Sequence, residues 1–237
     1  MSNVDFIIAN EAGFTNGLLD TFLAKGYYRM QHNLFTCNDT QIEFDSYDIP
    51  VFWLRTVVAK IASNKLHSTI ERKCSLFSVE IKPATITTEV ENLYSLYRNY
   101  VRFSAAESCE DYLHQRDLPN PFDSYMIEVR DDATLIAVGY FDKGLHTIAG
   151  ILNMYNPNYS KYSLGKFLML QKINFALANN MQYYYTGYIS TAITKFDYKI
   201  FPDKAAIEVY LPAHDKWIAY SNVDKTYLED YYFNSLL

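Results

Sequence analysis

From Thr88 onward, apolar positions recur first at helical and then at strand spacing. Val90, Leu93, Tyr94, Tyr97 and Val101 follow Thr88-Glu89-Val90-Glu91, a capping-box pattern, and predict a helix. Glu107–Gln115 offers a second helix, stopped by Pro119-Asn120-Pro121. Ser124–Arg130, Thr134–Phe141 and Leu145–Tyr155 then read as three successive strands, with turns at Asp131-Asp132 and Asp142-Lys143-Gly144. Leu164–Ala178 predicts a helix with Leu164, Phe167, Leu168, Ile173, Ala176 and Leu177 near one face. A strand at Gln182–Tyr188, a short helix at Ser190–Phe196 and a strand at Ala205–Tyr210 complete the pattern. The first third is less regular. Asn16–Ala24 reads as a short helix ending near Gly26, Gly26–Met30 as irregular or extended, Phe52–Lys60 as an apolar run holding Arg55, and Leu76–Glu80 as a strand. Ile81-Lys82-Pro83-Ala84 is the best boundary, which divides the chain into an N-terminal α/β region, 1–83, and a larger α+β unit, 84–237.

The order of elements after the boundary is helix, helix, three antiparallel strands, helix, strand, helix, strand. It resembles the fold of the GCN5-related N-acetyltransferases, with a mixed, mostly antiparallel sheet. The resemblance implies an acyl donor where two strands splay apart at the start of the helix between them. Here those elements are Leu145–Tyr155, Gln182–Tyr188 and Leu164–Ala178. The physical basis is general, because the first N–H groups of a helix have no intrahelical acceptor and suit an anion or a carbonyl. Ser163-Leu164-Gly165 is therefore the expected donor-binding floor. The same residues also allow a plainer reading, in which Ser163 caps the helix and Gly165 permits close packing. Acetyl-CoA enzymes of this fold use Arg/Gln-x-x-Gly-x-Gly/Ala at the turn. Aligned on Gly165, this chain has Tyr162 and the bulky Phe167 instead, which argues against acetyl-CoA.

Composition narrows the setting. Apolar residues make up 49% of the 237, enough for a sizeable core. The net charge of −6 excludes a nucleic-acid binder that uses its whole surface. A local patch remains, because Arg55, Lys60, Lys65, Arg72 and Lys73 face a single acid, Glu71, over that stretch. The 22 tyrosines suit wet pockets, or reflect compositional bias. Cys37, Cys74 and Cys109 lie far apart and the five histidines lack ligand spacing, so no metal site and no disulfide framework are expected. The N-terminus has no basic leader and no apolar run reaches the length of a membrane span. The expected setting is cytoplasmic, without a membrane.

Several blocks resemble the aminoacyl-tRNA–protein transferases, the arginyl- and leucyl-transferring enzymes of the N-degron pathway. Tyr155-Asn156-Pro157 with Tyr162-Ser163-Leu164-Gly165 resembles their Tyr-Asp-Pro … Arg-Ser-Leu-Gly. Tyr185-Thr186-Gly187-Tyr188-Ile189 resembles Tyr-Leu-Gly-Tyr-Trp-Ile, and Lys195-Phe196-Asp197-Tyr198-Lys199 resembles Lys-Met-x-Tyr-Lys. Phe201-Pro202, Trp217 and the Gly26–Met30 element also have counterparts. The resemblance covers the C-terminal half continuously and the N-terminal half in patches. It implies aminolysis of an aminoacyl-tRNA ester by the α-amine of a protein N-terminus, with aminoacyl-tRNA and protein N-termini as partners and no cofactor. Tyr188, and secondarily Tyr185, would be catalytic in orienting the amine or relaying a proton; core packing is the other reading of both. Three positions apart on a strand, they are not expected to face the cleft together. Lys195 and Lys199, four apart on the short helix, would meet the 3′ end of the tRNA or stand in solvent. Arg55, Lys60 and Lys65 would meet its phosphates. Arg29 would receive an acidic N-terminal side chain. The chain departs from the family at Tyr162, Thr186 and Phe196, and it lacks the N-terminal cysteine cluster that holds a metal or iron–sulfur group. Two alternatives stay open: an N-acyltransferase with another donor, and a catalytically silent binding module of the same fold.

Overall fold

The three strands expected between Ser124 and Tyr155 lie side by side toward one edge of a much larger sheet. The computed structural model describes residues 5–8, 13–42, 45–101, 105–115 and 118–235. Their strands are β1 (Asp5–Ile8), β2 (Tyr28–Met30), β3 (Asn33–Thr36), β4 (Asp39–Ile42), β5 (Asp45–Val57), β6 (Ser78–Pro83), β7 (Ser124–Asp131), β8 (Thr134–Lys143), β9 (Thr147–Tyr155), β10 (Tyr183–Ser190), β11 (Ile207–Leu211) and β12 (Lys216–Ala219). The helices are α1 (Asn16–Ala24), α2 (Lys65–Cys74), α3 (Thr88–Tyr100), α4 (Cys109–Leu113), α5 (Leu164–Ala178) and α6 (Lys225–Asn234).

The large sheet runs β12-β11-β5-β10-β9-β8-β7-β6, with β4 paired to β5, and β1-β3-β2 form a small second sheet. Only the β9–β10 pairing is parallel among these strands; α5 makes the crossover between them. This mixed, mostly antiparallel sheet around a β9–α5–β10 crossover is the α+β arrangement expected from the order of elements. β5 and β6 both precede the expected boundary at Pro83, and both belong to the large sheet. β5 lies inside it, between β11 and β10, with Val51, Phe52, Trp53 and Leu54 all buried.

Three local expectations are corrected. The N-cap of α3 is Thr87, whose side chain accepts from the Val90 N–H. Glu91 is therefore free of any capping-box role, and its carboxylate instead accepts the first N–H groups of α4, from Cys109 and Glu110. The Glu107–Gln115 helix shrinks to the short α4, since Ser108 is its N-cap and His114 is already extended. The Ser190–Phe196 helix is instead a tight 3₁₀ turn over Thr194–Ile200.

α5 is buried nearly all round, because the sheet covers one side and α2 packs on another. Its most unusual core residue is Lys172, 1% exposed. The Lys172 Nζ donates to the Tyr140 carbonyl and to Asn153 Oδ1, both at 2.7 Å. Two strand glycines make room for it. A Cβ at Gly139 would come within 3.3 Å of Lys172 Cε, and one at Gly150 within 3.4 Å of Nζ.

Candidate functional site

β9 and β10 pair only over Thr147–Ala149 and Tyr183–Tyr185. β9 then stays with β8 as far as Tyr155, while β10 from Gly187 follows β5. The strands part beyond Ala149 and Tyr185. A turn over Pro157–Tyr162 leads from β9 to the start of α5.

Ser163, the residue before α5, adopts left-handed geometry at φ 58° and ψ 43°. Its side chain makes no capping hydrogen bond, so the capping reading of Ser163 does not hold. Its carbonyl accepts the N–H groups of Lys166 and Phe167, each at 3.0 Å. The N–H groups of Leu164 and Gly165 precede these and have no acceptor within the helix. Leu164 and Phe167 send their side chains into the main core. Phe167 therefore leaves the space in front of the turn clear. Tyr162 turns the other way, edge-on to Phe77 at 4.9 Å, and Cys74 Sγ of α2 lies 3.5 Å from the Tyr162 carbonyl.

The plainer reading of Gly165, that it permits close packing, is corrected, since an added Cβ would meet only the Tyr155 ring, at 3.6 Å, an ordinary contact. Gly165→Ala is thus expected to fold normally and to gain a few tenths up to about 1 kcal/mol in helix propensity. Urea unfolding would check it, and a loss of more than 1 kcal/mol would show a tighter site.

The N-terminal region closes the point where the strands part. The Tyr28 hydroxyl donates to the Gly150 carbonyl and lies 3.5 Å from that of Tyr185, so it touches both parting strands. Its ring stacks on Trp53 at 5.3 Å. Gly26 permits this entry with φ +78°; a Cβ there would come within 2.7 Å of the Tyr210 ring.

Arg29 follows directly and is committed elsewhere than to an acceptor. Its guanidinium donates to Asp142 Oδ1 at 2.6 Å, Ser124 Oγ at 3.0 Å, the Leu113 carbonyl at 2.5 Å and the Gln31 carbonyl at 2.6 Å. Both partners of the Arg29–Asp142 pair are buried. Arg29 ties the N-terminal hairpin to α4, β7 and β8, and its burial with Asp142 keeps it from an incoming carboxylate.

Tyr185 and Tyr188 lie on one face, against the expectation from their spacing. A β-bulge between Tyr185 and Gly187 adds a residue to β10 and shifts its alternation. Tyr28 and Trp217 pack against both rings' clusters. Tyr185 is buried against Trp217. Tyr188 packs edge-on to Trp53 and Phe196, each at 5.2 Å, and its hydroxyl pairs with Thr40. Burial pushes both hydroxyls up to about 12. They are protonated at neutral pH and can donate a hydrogen bond but not accept a proton.

Lys195 and Lys199 both reach the Phe196 ring, at 5.0 and 4.8 Å. A 3₁₀ turn has three residues per turn, so the shared face expected for an α-helix is lost. Lys195 is exposed, while Lys199 is partly covered and donates from Nζ to the Tyr188 carbonyl at 2.8 Å. The next residues lead back to α5, where Lys166 Nζ lies 4.9 Å over the Phe201 ring.

The tyrosine-rich composition finds a place here. Tyr97 and Tyr100 of α3 meet Tyr155 edge-on, and the Tyr198 hydroxyl is near enough to those of Tyr28, Tyr97 and Tyr184 to raise them beyond what burial does. Tyr28 and Tyr198 lie in the Gly26–Met30 and Lys195–Lys199 blocks and Tyr97 in the apolar spacing of α3, but sequence reasoning gave none of the three a part in the site.

The basic stretch is divided. Arg55 pairs with Glu208 at 2.7 Å and is held between the rings of Tyr183 and Trp217, at 3.9 and 4.4 Å. Lys60 is exposed, 3.6 Å from Glu208. Lys65, Arg72 and Lys73 stand exposed on α2, the helix that abuts the turn before α5 through Cys74. Among the described residues no group of three metal-ligating side chains converges. Cys37, Cys74 and Cys109 are buried and unbridged, and burial pushes their thiols up to about 12, 11 and 12. No described helix is long and apolar enough to cross a membrane.

Comparison with known proteins bears out the resemblance in the sequence. Residues 89–203 match the family described as arginine-tRNA-protein transferase, C terminus. The chain is 28% identical over 131 residues to arginyl-tRNA–protein transferase 1 of Arabidopsis thaliana, covering 53% of this chain and 20% of that protein. It is 25% identical over 162 residues to the aspartate/glutamate leucyltransferase of Leptospira interrogans, covering 66% and 63%. The enzyme of that name from Shewanella oneidensis is 32% identical over 124 residues, covering 48% and 50%. The chain therefore spans less than two thirds of the length of these relatives. Among solved structures, FemX aligns with a TM-score of 0.44 and 7% identity, over 74% of this chain and 60% of that one.

Proposed function

We propose, from the match of residues 89–203 to the arginine-tRNA-protein transferase C-terminal family, that this chain moves arginine or leucine from aminoacyl-tRNA to the α-amine of a protein N-terminus. The observation that carries the reading is the parting of β9 and β10 at the unpartnered first turn of α5. An aminoacyl ester is already activated, so the enzyme has mainly to align two reactants and stabilise an oxyanion. The Leu164 and Gly165 N–H groups are the donors for that oxyanion or for the ester carbonyl. No cofactor is needed. Its charged tRNA substrate makes the cytoplasm the setting.

The tRNA path runs over α2. Lys60, Lys65, Arg72 and Lys73 are the phosphate-binding side chains, and Arg55, held by Glu208, drops out of the patch. Lys60→Glu with Lys65→Glu is expected to weaken tRNA binding and to flatten its salt dependence, by a slope of about one for each phosphate no longer neutralised. Filter binding across a salt series measures this. Unchanged affinity and slope would remove α2 from the path.

The direct test incubates the protein with labelled arginyl- and leucyl-tRNA and peptides beginning with Asp, Glu, Lys or Arg. Label should pass to the peptide α-amine. No transfer from either donor would overturn the reading.

A second reading, transfer from an acyl-CoA, gains from one observation: the Phe167 ring sits in the core and leaves the turn clear. Calorimetric titration with acetyl-CoA separates the two, since the first reading expects no binding.

A further inference from the structure

The transfer needs a neutral amine, yet a protein N-terminus is mostly an ammonium below a pH of about 7.7–8.0. A base at the site would take that proton on the enzyme and raise the neutral fraction. The hydroxyls of Tyr185 and Tyr188 are held protonated. Lys172 is sealed in the core on its own acceptors.

We propose that Lys199 is the proton acceptor, taking one proton from the α-ammonium of the N-terminus that enters where β9 and β10 part. The proposal rests on the transferase reading above. Four observations on geometry support it. The Lys199 Nζ sits on the Tyr188 carbonyl at 2.8 Å, directly after the bulge at which β10 leaves β9. Gly187 makes room for it, with φ +94°; a Cβ there would stand 3.1 Å from Nζ. The rings of Tyr188 and Phe196 flank the amine, each at 4.8 Å, and no carboxylate pairs with it among the described residues. Next to Gly187, the Thr186 hydroxyl is buried with no partner among the described residues, so this corner has unused hydrogen-bonding capacity.

The groups around the amine do not restore its charge. Tyr188 faces it from β10, and Lys195, Asp197 and Tyr198 share its turn. Tyr112 of α4 lies near Tyr198, and Lys166 of α5 and His67 of α2 meet the turn at Phe201. Burial, and then the like charge of Lys195, lower the Lys199 amine to about 7. A base with that value is matched to an α-amine near neutral pH.

The step balances. Lys199 takes one proton from the ammonium. The freed lone pair attacks the ester carbon, a C–N bond forms, and the carbonyl oxygen takes the negative charge. As the carbonyl re-forms, the bond to the ribose oxygen breaks. That oxygen leaves with the second nitrogen proton, and Lys199 returns the first to solvent.

The test is single-turnover transfer from leucyl- and arginyl-tRNA to peptides beginning with Asp or Arg, from pH 6 to 9, with tRNA affinity measured in parallel. The wild-type rate should rise through a pH of about 7 and level off. Lys199→Met should lose about 100-fold in rate at saturating tRNA while keeping tRNA affinity, and its residual rate should follow only the titration of the peptide amine. Lys199→Arg, permanently charged, should be equally slow. Lys199→Cys alkylated with 2-bromoethylamine should regain most of the rate. If Lys199→Met instead lowers tRNA affinity and leaves the saturated rate intact, the lysine is a phosphate ligand and the proposal is overturned. Retention of the wild-type pH profile by Lys199→Met also overturns it. Folding of each variant is read from thermal unfolding. Should the variants not fold, carbon-13 resonances of the reductively dimethylated wild type decide, because a Lys199 signal titrating above pH 10 refutes the role. Absence of wild-type transfer from both donors would overturn the transferase reading itself, an outcome distinct from active wild type with an equally active Lys199→Met.

Discussion

Replacing Arg29 by methionine is expected to cost about 3–5 kcal/mol of folding stability, the penalty for leaving one member of a buried ion pair alone. Asp142 would lose its cation while remaining 1% exposed. Burial already pushes the Asp142 carboxyl up, and Arg29 is the leading influence that holds it down. The variant would also orphan the Leu113 and Gln31 carbonyls. Urea unfolding measures the loss. Arg29→Met with Asp142→Leu should recover much of it, since two apolar residues of similar size replace a buried pair at little net cost. The alternative role, recognition of an acidic N-terminus, expects the opposite. Stability would then hold, and only the KM for peptides beginning with Asp or Glu would rise. A loss below 1 kcal/mol would therefore overturn the structural assignment of Arg29.

Stability should rise with pH between about 7 and 9.5, and Lys172→Met should remove much of the rise. Burial lowers the Lys172 amine to about 7, against the pull of Asp142. In the unfolded chain a lysine keeps its proton up to about 10.4. Between those values the unfolded state binds more protons, so raising the pH favours the folded state. The penalty is absent above a pH of about 10.4, grows as pH falls and is complete below about 7. One such group contributes at most about 1.4 kcal/mol per pH unit, so from pH 7.5 to 9.5 the difference should be roughly 2 kcal/mol. Lys199 adds a contribution of the same sign, which cancels when wild type is compared with Lys172→Met. The comparison isolates the slope from any offset left by the unpaired Tyr140 carbonyl and Asn153 amide. Equal slopes in the two proteins would refute a neutral Lys172.

The elements that sequence reasoning recovered were those with a strong local pattern. α5 has the bounds expected from its apolar spacing after Ser163-Leu164-Gly165, and β7, β8 and β9 follow from apolar runs set off by the turn residues Asp131-Asp132 and Asp142-Lys143-Gly144. β5 left no such trace. Val51 to Leu54 are buried on both faces, and a continuous apolar run names neither a register nor a partner. The site was half legible for the same reason. Its turn and its strands carry short motifs, but the Arg29–Asp142 pair joins residues with no shared local pattern. The bulge at Gly187 also defeated simple counting, because one added residue changes the face of every side chain beyond it.

The position of β5 has a consequence for how the chain is made. During synthesis this strand emerges early, able to pair with β4 alone. Its two other neighbours, β10 and β11, are produced only after α5. At ~10 residues per second, the ribosome takes on the order of ten seconds to supply them. Through that interval a strand whose Val51–Leu54 stretch is buried in the finished fold has both edges incompletely paired. The nascent chain is then at its most vulnerable to association with other copies, and chaperone demand should peak before Tyr183–Ser190 clears the exit tunnel.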